Sequence, residues 1–276
     1  MDRPDWAPDS IDTERPSGAR VYDYFLGGAH NFEVDRALAD AIAAITPNIG
    51  DTMRANRAFL RRAVRYLVGE GITQFLDIGS GIPTVGNVHE VAQQADPSAR
   101  VVYVDVDPVA VAHSRVILDG GSGTAVLDAD VRDVDRILDA PATRLLDRDR
   151  PIAVLMLGVL HFIPDSDDPP AIVARLMSAM PPGSALALVN VTHEDQPPEV
   201  IEAQRLSGRT STPIHLRSRE ELAAQFAGLP LVEPGLVHLP LWRPDSPEDL
   251  TGPPERFGAL AGIARTPQPV DAALRR

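Results

Sequence analysis

The sequence predicts an α/β fold, in which a mainly parallel β-sheet carries α-helices on both faces. Apolar runs of strand length alternate with segments of helical periodicity between residues 74 and 264. Hydrophobic residues make up 44% of the 276 residues and charged residues 24%, which is typical of globular proteins. The strand candidates are Gln74–Ile78, Val101–Asp105, Thr124–Leu127, Ile152–Leu157, Ala185–Val191, Leu231–Val237 and Ala259–Ala264.

Two helices are predicted ahead of the first strand. Apolar residues recur at helical spacing from Val34 to Ile45. Asp51 is the predicted N-cap of a second helix, which ends near Gly69. We therefore expect three parts, namely a leader with a helical lid or extension over residues 1–71, an α/β domain over 72–265 and a tail over 266–276.

Composition excludes several classes of enzyme. The chain has no lysine, so all 26 basic residues are arginines. A P-loop and a pyridoxal phosphate Schiff base both need a lysine, so neither can be built here. The chain also has no cysteine, which excludes disulfides, thiolate catalysis and cysteine-bound metals. We expect no metal site, because no metal-ligand spacing is shown by His30, His89, His113, His215 and His238.

Charge and hydropathy limit the partners. The net charge of −13 argues against a nucleic-acid substrate, since phosphate binding depends on an electropositive surface. No apolar run approaches the roughly 20 residues that span a bilayer. The first residues lack the basic start and apolar core of a secretory signal. We therefore expect a cytoplasmic protein that binds neither nucleic acid nor membrane, and the sequence does not indicate its oligomeric state.

A glycine-rich turn follows the first predicted strand. Gly79 and Gly81 allow a tight turn and a close approach of the backbone to a ligand, at the sheet edge where open α/β sheets bind ligands. The third glycine of a dinucleotide fingerprint would fall on Thr84. The carboxylate of Asp77 would repel a pyrophosphate but suits an ammonium or a sulfonium. Asp105 ends the second strand, where a carboxylate binds a ribose diol in such folds.

These residues resemble the cofactor site of class I S-adenosylmethionine-dependent methyltransferases, and the resemblance covers roughly residues 72–265. It implies a Rossmann-like seven-stranded sheet, mainly parallel with one antiparallel strand, and S-adenosylmethionine as the cofactor. The cofactor-binding residues that it implies follow the first four strands: Asp77, Gly79, Ser80, Gly81, Asp105, Val106, Asp130, Val131 and Leu157.

The N-terminal part narrows the resemblance. The run from Ala19 to Gly28, with its Tyr-Asp-Tyr and Gly-Gly, resembles a bacterial family of S-adenosyl methyltransferases, as do Asn31-Phe32, Asn56–Arg62 and Gly86–Glu90. That family brings no established substrate. We therefore predict a methyltransferase with a small-molecule acceptor. A non-catalytic protein that binds S-adenosylmethionine or S-adenosylhomocysteine is the alternative, and an NAD(P)-dependent oxidoreductase is a weaker one.

Three residues are candidates for catalysis. His161 follows the fourth strand, close to the expected methyl acceptor, and a histidine there can deprotonate a hydroxyl. A packed histidine bonded to the backbone is the alternative. Tyr22 and Tyr24 belong either to the core or to a hinged lid that excludes water, and we favour the lid. An acceptor that keeps its proton needs no base, in which case none of the three is catalytic.

Four further residues are candidates for the lid and the substrate site: Arg20, Asn31, Arg57 and His193. Arg57 lies on an arginine stripe opposite the apolar face of its predicted helix. Such a stripe is either a solvated face or a surface for a carboxylate or phosphate of the substrate. A structural role is the alternative for His193.

Two of the acidic positions have competing interpretations. Asp107 precedes a proline and is predicted to be the N-cap of the next helix rather than a ribose ligand. Asp130 shares its acidic turn with Asp128 and Asp133, which compete for any role there.

Overall fold

The structure is a computed structural model, which describes residues 11–83, 86–118, 121, 123–208, 210, 212–250 and 252–268. Within these ranges the helices are α1 (Gly18–Phe25), α2 (Glu33–Ile45), α3 (Ile49–Gly69), α4 (Val88–Ala95), α5 (Pro108–Leu118), α6 (Val134–Asp139), α7 (Pro169–Ser178), α8 (Glu199–Ser207) and α9 (Arg219–Ala224). The strands are β1 (Gln74–Ile78), β2 (Arg100–Asp105), β3 (Thr124–Asp128), β4 (Ala153–Leu157), β5 (Ala185–Val191), β6 (Val237–His238) and β7 (Ala259–Arg265). None of these helices is both long and apolar enough to cross a bilayer. Thr84, residues 1–10 of the predicted leader and residues 269–276 of the predicted tail lie outside the described residues.

The strands form one sheet in the order β3-β2-β1-β4-β5-β7-β6. Neighbouring strands from β3 to β5 pair in parallel. β7 runs antiparallel to both of its neighbours, β5 and β6. The sheet is therefore mainly parallel with one antiparallel strand, as predicted. The strand order reverses between β1 and β4, and open α/β sheets bind their ligands at this kind of position.

Each face of the sheet has its own apolar core, because successive residues of a strand point to opposite faces. Phe75 and Leu155 pack on one face against Phe59 and other residues of α3 and α4. Leu76 and Met156 pack on the other face against residues of α6 and α7. Helices therefore cover both faces, as predicted. α3 belongs to the core of the sheet, although we expected the extension to continue to residue 71.

The N-terminal segment (residues 15–45) is held together by its own contacts. α1 and α2 pack through Val21, Leu38 and Ile42. A buried ion pair of 2.9 Å joins Nε of Arg20 to Oδ2 of Asp35. Asp35 also accepts hydrogen bonds from two backbone amides, those of Ser17 just before α1 and of Phe32 just before α2. The segment is thus a small folded unit with an ionic centre.

The start of this N-terminal segment is tied to three loops. The hydroxyl of Ser17 donates to Oδ2 of Asp107, at the beginning of α5. The amide of Gly18 donates to Oγ1 of Thr212 at 3.3 Å, in the loop after α8. A Cβ on Gly18 would lie 2.9 Å from the ring of Phe162, in the loop after β4. The segment therefore lies across loops that follow β2, β4 and α8.

Two local predictions were wrong. The sixth strand was predicted over Leu231–Val237, but the ladder contains only Val237 and His238, with an isolated bridge at Leu231. A turn closed by the Gly235 amide and the Val232 carbonyl interrupts the run, and Gly235 has a φ of 89°. Asp51 is not an N-cap, because α3 begins at Ile49 and Asp51 lies in its first turn.

Candidate functional site

The chain turns sharply after β1. The amides of Gly79 and Ser80 both donate to the carbonyl oxygen of Val104, at 2.8 and 3.2 Å. Gly79 has a φ of 71°, and a Cβ there would lie 2.6 Å from the side chain of Val159. Gly81 has a φ of 68°, but a Cβ there would meet no described atom within 4 Å. The loop after β4 therefore excludes a side chain at position 79, whereas position 81 leaves space for a ligand.

Asp105 ends β2 and holds this glycine loop. Its Oδ2 accepts the amide of Gly81 at 2.7 Å, and its Oδ1 accepts the amide of Asp107 at 2.8 Å. Burial raises the pKa of Asp105 to about 6, although these hydrogen bonds lower it. The backbone amide of Val106 also bonds this carboxylate, which leaves one of its four acceptor positions for a ligand hydroxyl. Asp107 caps α5, as predicted, since its Oδ1 accepts the amide of Val109 at 2.8 Å.

Asp77 is the second buried carboxyl group of the site. It pairs in register with Tyr103 of β2, on the face of the sheet that α3 and α4 cover. Burial raises the pKa of Asp77 to about 7; the Arg57 guanidinium opposes this shift and Asp105 adds to it. The charge of Asp77 therefore depends on pH near neutrality, and a cation bound beside it would favour the ionised form.

A cavity adjoins both the loop and Asp77. It is small as it stands, with a volume of about 10 Å³, which is about the space that one water molecule fills. Its polar lining includes Arg57, Asp77, Ser80 and Asn87. The cavity thus brings the backbone of the glycine loop together with one cationic and one acidic side chain.

Asn56 of α3 joins the N-terminal segment to the end of β4. Its Nδ2 donates to the Leu157 carbonyl at 3.2 Å and to the Tyr22 hydroxyl at 3.1 Å. Its Oδ1 is buried, as is Nε of the adjacent Arg57, and neither has a hydrogen-bond partner among the described residues. Buried polar atoms are nearly always paired in folded proteins. This position therefore presents one acceptor and one donor that a ligand can satisfy.

Tyr22 reaches the same place from α1. Its hydroxyl accepts from Asn56 and donates to the Met53 carbonyl at 3.3 Å. Burial raises the pKa of Tyr22, against the effects of Arg57 and Asn56. Tyr22 is therefore a neutral hydroxyl group at physiological pH.

His161 is buried behind the end of β4. Its Nδ1 lies 3.0 Å from Oδ1 of Asn190. Burial lowers the pKa of His161 to about 4, although the bond to Asn190 opposes this shift. A Cβ on Gly158 would lie 3.6 Å from Cε1 of His161 and 3.7 Å from Nδ2 of Asn56. Both side chains therefore flank Gly158, at the sheet edge that also carries the glycine loop.

Three further residues that were predicted to bind the cofactor follow β2 and β3. Asp130 follows β3 and is paired with Arg132, whose Nη2 is 2.5 Å from Oδ2. Val131 is buried in the core with α6 and α7. Val106 is 56% exposed, directly after Asp105. Their contacts with a cofactor stay predictions.

Tyr24 is placed away from the other candidates for catalysis. It is two residues from Tyr22 on one helix, so the two side chains point to nearly opposite sides. Its hydroxyl donates to Oδ1 of Asp40 on α2 at 3.0 Å. The Tyr24 hydroxyl therefore joins α1 to α2, and its catalytic role stays a prediction.

The candidates for the lid also separate. Arg20 is used by the ion pair with Asp35. Asn31 is buried, and its Nδ2 donates to Oδ2 of Asp23 at 2.9 Å. Both residues therefore hold the N-terminal segment together. His193 is exposed after β5, and the predicted contact with a substrate stays a prediction for it.

Sequence reasoning missed two polar residues beside His161. Asn190 donates through Nδ2 to Oε1 of Gln225, just after α9, at 2.6 Å. Asn190 is the polar residue within the apolar run Ala185–Val191, which is a usable signal. Gln225 gives no comparable signal, because its place beside β5 follows from the tertiary fold.

Comparisons with known proteins agree with this geometry. The model of a family described as S-adenosyl methyltransferase matches residues 4–267. A solved structure of a candidate methyltransferase from Thermobifida fusca YX is 41% identical over 96% of this chain and 100% of that one, with a TM-score of 0.89. A DUF574 family protein from Streptomyces avermitilis MA-4680 is also 41% identical, over 93% of this chain and 99% of that one, with a TM-score of 0.88.

A more distant structure shares only the fold. The N-methyltransferase NodS from Bradyrhizobium japonicum WM9, in complex with S-adenosyl-L-homocysteine, is 14% identical over 90% of this chain and 100% of that one, with a TM-score of 0.50. No curated protein is significantly similar to this chain. The match of the family model to nearly the whole chain, together with the two structures at 41% identity, decides the assignment. The chain belongs to the S-adenosyl methyltransferase family and is an S-adenosylmethionine-dependent methyltransferase.

Proposed function

We propose that this enzyme methylates a small molecule that binds beside Gly158, between the N-terminal segment and the loop after β4. One observation carries the proposal. His161 and Asn56 flank Gly158, and Asn56 binds the Tyr22 hydroxyl at 3.1 Å. The loop after β4 also packs against Gly79, so the proposed acceptor and cofactor sites are adjacent.

The glycine loop and Asp105 suit the nucleoside part of S-adenosylmethionine. The space beside Gly81 lets a ligand approach the backbone, and Asp105 keeps one acceptor position for a ribose hydroxyl. Val106, Asp130 and Val131 follow β2 and β3 at the same sheet edge and are proposed to line the adenine site. A protein of the same fold, NodS, has been solved in complex with S-adenosyl-L-homocysteine, the product that this cofactor leaves.

The unpaired atoms of α3 suit the amino-acid part of the same cofactor. Nε of Arg57 can donate to a carboxylate, and Oδ1 of Asn56 can accept from an ammonium. Asp77, with a pKa raised to about 7 by burial, gains its charge when a cation binds beside it. These residues therefore fit a ligand that carries a carboxylate, an ammonium and a further positive charge.

S-adenosylmethionine supplies an activated methyl group, so the chain's main task is to hold the acceptor in line with it. His161 is uncharged at neutral pH because burial lowers its pKa to about 4, and it is proposed to accept the acceptor's proton. The Tyr22 hydroxyl is proposed to orient the acceptor, and the N-terminal segment to exclude water.

The acceptor is proposed to be a small molecule, in the cytoplasm. The net charge of −13 disfavours a polyanion. His161 and Asn56 beside Gly158 are buried, and Tyr22, which binds Asn56, is half-buried, which suits a ligand that can be enclosed.

Calorimetry tests the cofactor site. We expect S-adenosylmethionine and S-adenosylhomocysteine to bind, and Arg57→Gln to weaken binding roughly tenfold to a hundredfold, since a hydrogen bond to a charged group contributes about 1.5–3 kcal/mol. Arg54→Gln is the matched control, because Arg54 is exposed on the same helix and pairs with Asp51. Binding of NAD without S-adenosylmethionine would contradict the proposal.

Turnover tests the catalytic role. A panel of small hydroxyl and amine acceptors is incubated with the protein, and formation of S-adenosylhomocysteine is measured. Tight cofactor binding without product from any acceptor would instead favour a non-catalytic binding protein.

A further inference from the structure

We propose that Asn190 is a positioning residue that keeps the proton of His161 on Nδ1 and its lone pair on Nε2. The inference rests on the proposed role of His161 as the proton acceptor. It assigns a function to two buried polar residues, Asn190 and Gln225, that the cofactor site does not use.

The contact between the two side chains carries the inference. Nδ1 of His161 lies 3.0 Å from Oδ1 of Asn190. An amide oxygen can only accept a hydrogen bond, so Nδ1 must carry the proton that is shared. In a neutral imidazole the other nitrogen, Nε2, then holds the lone pair.

Gln225 orients the amide of Asn190. Nδ2 of Asn190 donates to Oε1 of Gln225 at 2.6 Å, which leaves Oδ1 facing the histidine. The exposures of His161, Asn190 and Gln225 are 8, 4 and 1%. Water therefore has little access to replace these bonds, and each partner limits the rotation of the next. Reversing both amides would give the opposite tautomer, so the tautomer itself is the quantity to measure.

The backbone holds the imidazole in the same place. The carbonyl of His161 accepts the His215 amide at 2.7 Å, and the Leu160 carbonyl accepts Nη1 of Arg217 at 3.0 Å. The ring edge at Cε1 faces Gly158. With the proton on Nδ1, the lone pair lies on the nitrogen that Asn190 does not occupy.

This tautomer defines the proton transfer. The O–H or N–H bond of the acceptor breaks, its electron pair stays on the acceptor atom, and a new N–H bond forms at Nε2. The Nδ1–H bond to Asn190 remains throughout, and the imidazolium later loses the Nε2 proton to solvent. The amide of Asn190 adds no negative charge, which agrees with the low pKa that burial gives His161.

The test is the tautomer of His161 in the free protein, read from nitrogen-15 shifts of the imidazole in two-bond proton–nitrogen correlation spectra. His161→Gln identifies the signals among the seven histidines. We expect the wild type to show Nδ1–H as the main form. Asn190→Asp keeps the acceptor and should keep this tautomer while raising the pKa of His161. Asn190→Leu removes the acceptor and should shift the tautomer ratio by up to about tenfold, since a hydrogen bond contributes about 0.5–1.5 kcal/mol.

Gln225→Ala is the second variant, because Asn190→Leu places an apolar group against a buried ring. It leaves the histidine contact in place but frees the amide to rotate, so a smaller shift of the same sign is expected. A wild type with Nε2–H as the main form overturns the inference, as does an unchanged ratio in Asn190→Leu. If the tautomer is as expected but His161→Gln leaves turnover unchanged, the positioning stands and only the role of His161 as a base fails.

Discussion

The amide of Gly81 donates a hydrogen bond of 2.7 Å to Oδ2 of Asp105, which joins the loop after β1 to the end of β2. The same carboxylate accepts the amide of Asp107. Asp105 therefore shapes the loop that we propose to bind the cofactor, in addition to its proposed contact with the ribose. Loss of the Asp105 carboxylate should therefore affect both the shape of the loop and the binding of the cofactor.

The first prediction compares Asp105→Ala with Asp107→Ala. We expect Asp105→Ala to reduce the affinity for S-adenosylhomocysteine far more than Asp107→Ala does, as measured by calorimetry. Asp107→Ala should instead lower the free energy of unfolding by about 1 kcal/mol, because it removes the cap of α5. Equal losses of affinity would show that Asp107 is a ligand rather than only a cap.

The second prediction compares two glycines of one loop. Both have positive φ, so alanine at either position costs about 1–2 kcal/mol of stability from backbone strain. Gly79→Ala should cost more, because its Cβ would lie 2.6 Å from Val159. Gly81→Ala meets no described atom and should mainly lower cofactor affinity. Urea unfolding and calorimetry measure the two effects, and equal stability losses would contradict the assigned clash.

The third prediction concerns pH. Burial raises the pKa of Asp77 to about 7 from an ordinary value of 3.8, so the native state holds its proton more tightly than the unfolded state. Its contribution to stability is complete below about pH 4 and is lost as the pH rises through 7. Asp77→Asn should therefore gain stability relative to the wild type between pH 4 and 8, by up to about 4 kcal/mol.

Thermal or urea unfolding at several pH values checks this dependence. Asp139→Asn is the control for the loss of a carboxyl group, since Asp139 is exposed at the end of α6. Cofactor affinity should also rise from pH 6 to 8 in the wild type and less in Asp77→Asn, because a cationic ligand favours the ionised carboxylate. Parallel pH curves for the wild type and Asp77→Asn would show that the carboxyl group is not perturbed.

The fourth prediction concerns the ion pair of the N-terminal segment. Arg20→Met leaves Asp35 buried without its partner, which typically costs about 3–5 kcal/mol. We expect the amides of α1 and α2 to exchange hydrogen much faster in this variant, while those of β1 and β4 change less. Arg65→Met is the control, because the pair of Arg65 and Asp245 is exposed and contributes about 1 kcal/mol or less.

The sheet and the glycine loop could be predicted because their signals are local. Alternating apolar runs and helical periods define the order of the elements, and positive φ at Gly79 and Gly81 explains why glycines are needed there. The cap at Asp107 was predictable for the same reason. The sixth strand was mispredicted because Gly235 closes a turn inside an apolar run.

The pairing of distant polar groups was not predictable in this way. Tyr22, Asn56 and His161 come from three separate parts of the chain. The contact of Tyr22 with Asn56, and the approach of Asn56 and His161 to Gly158, depend on how α1 and α3 pack on the sheet. The burial of Asp77 beside Arg57 likewise depends on α3 covering one face of the sheet. Periodicity indicates which side of a helix is buried, but not which side chains meet there.

The bond between Ser17 and Asp107 has a kinetic consequence. Ser17, just before α1, binds Asp107, which lies two residues after the carboxylate that we propose to bind ribose. The next residue, Gly18, also contacts the loops after β4 and α8. We propose that a ligand leaves past this segment, which requires these contacts to break. We therefore expect product release to limit the rate of turnover. Acceptors of very different intrinsic reactivity should then share one maximal rate.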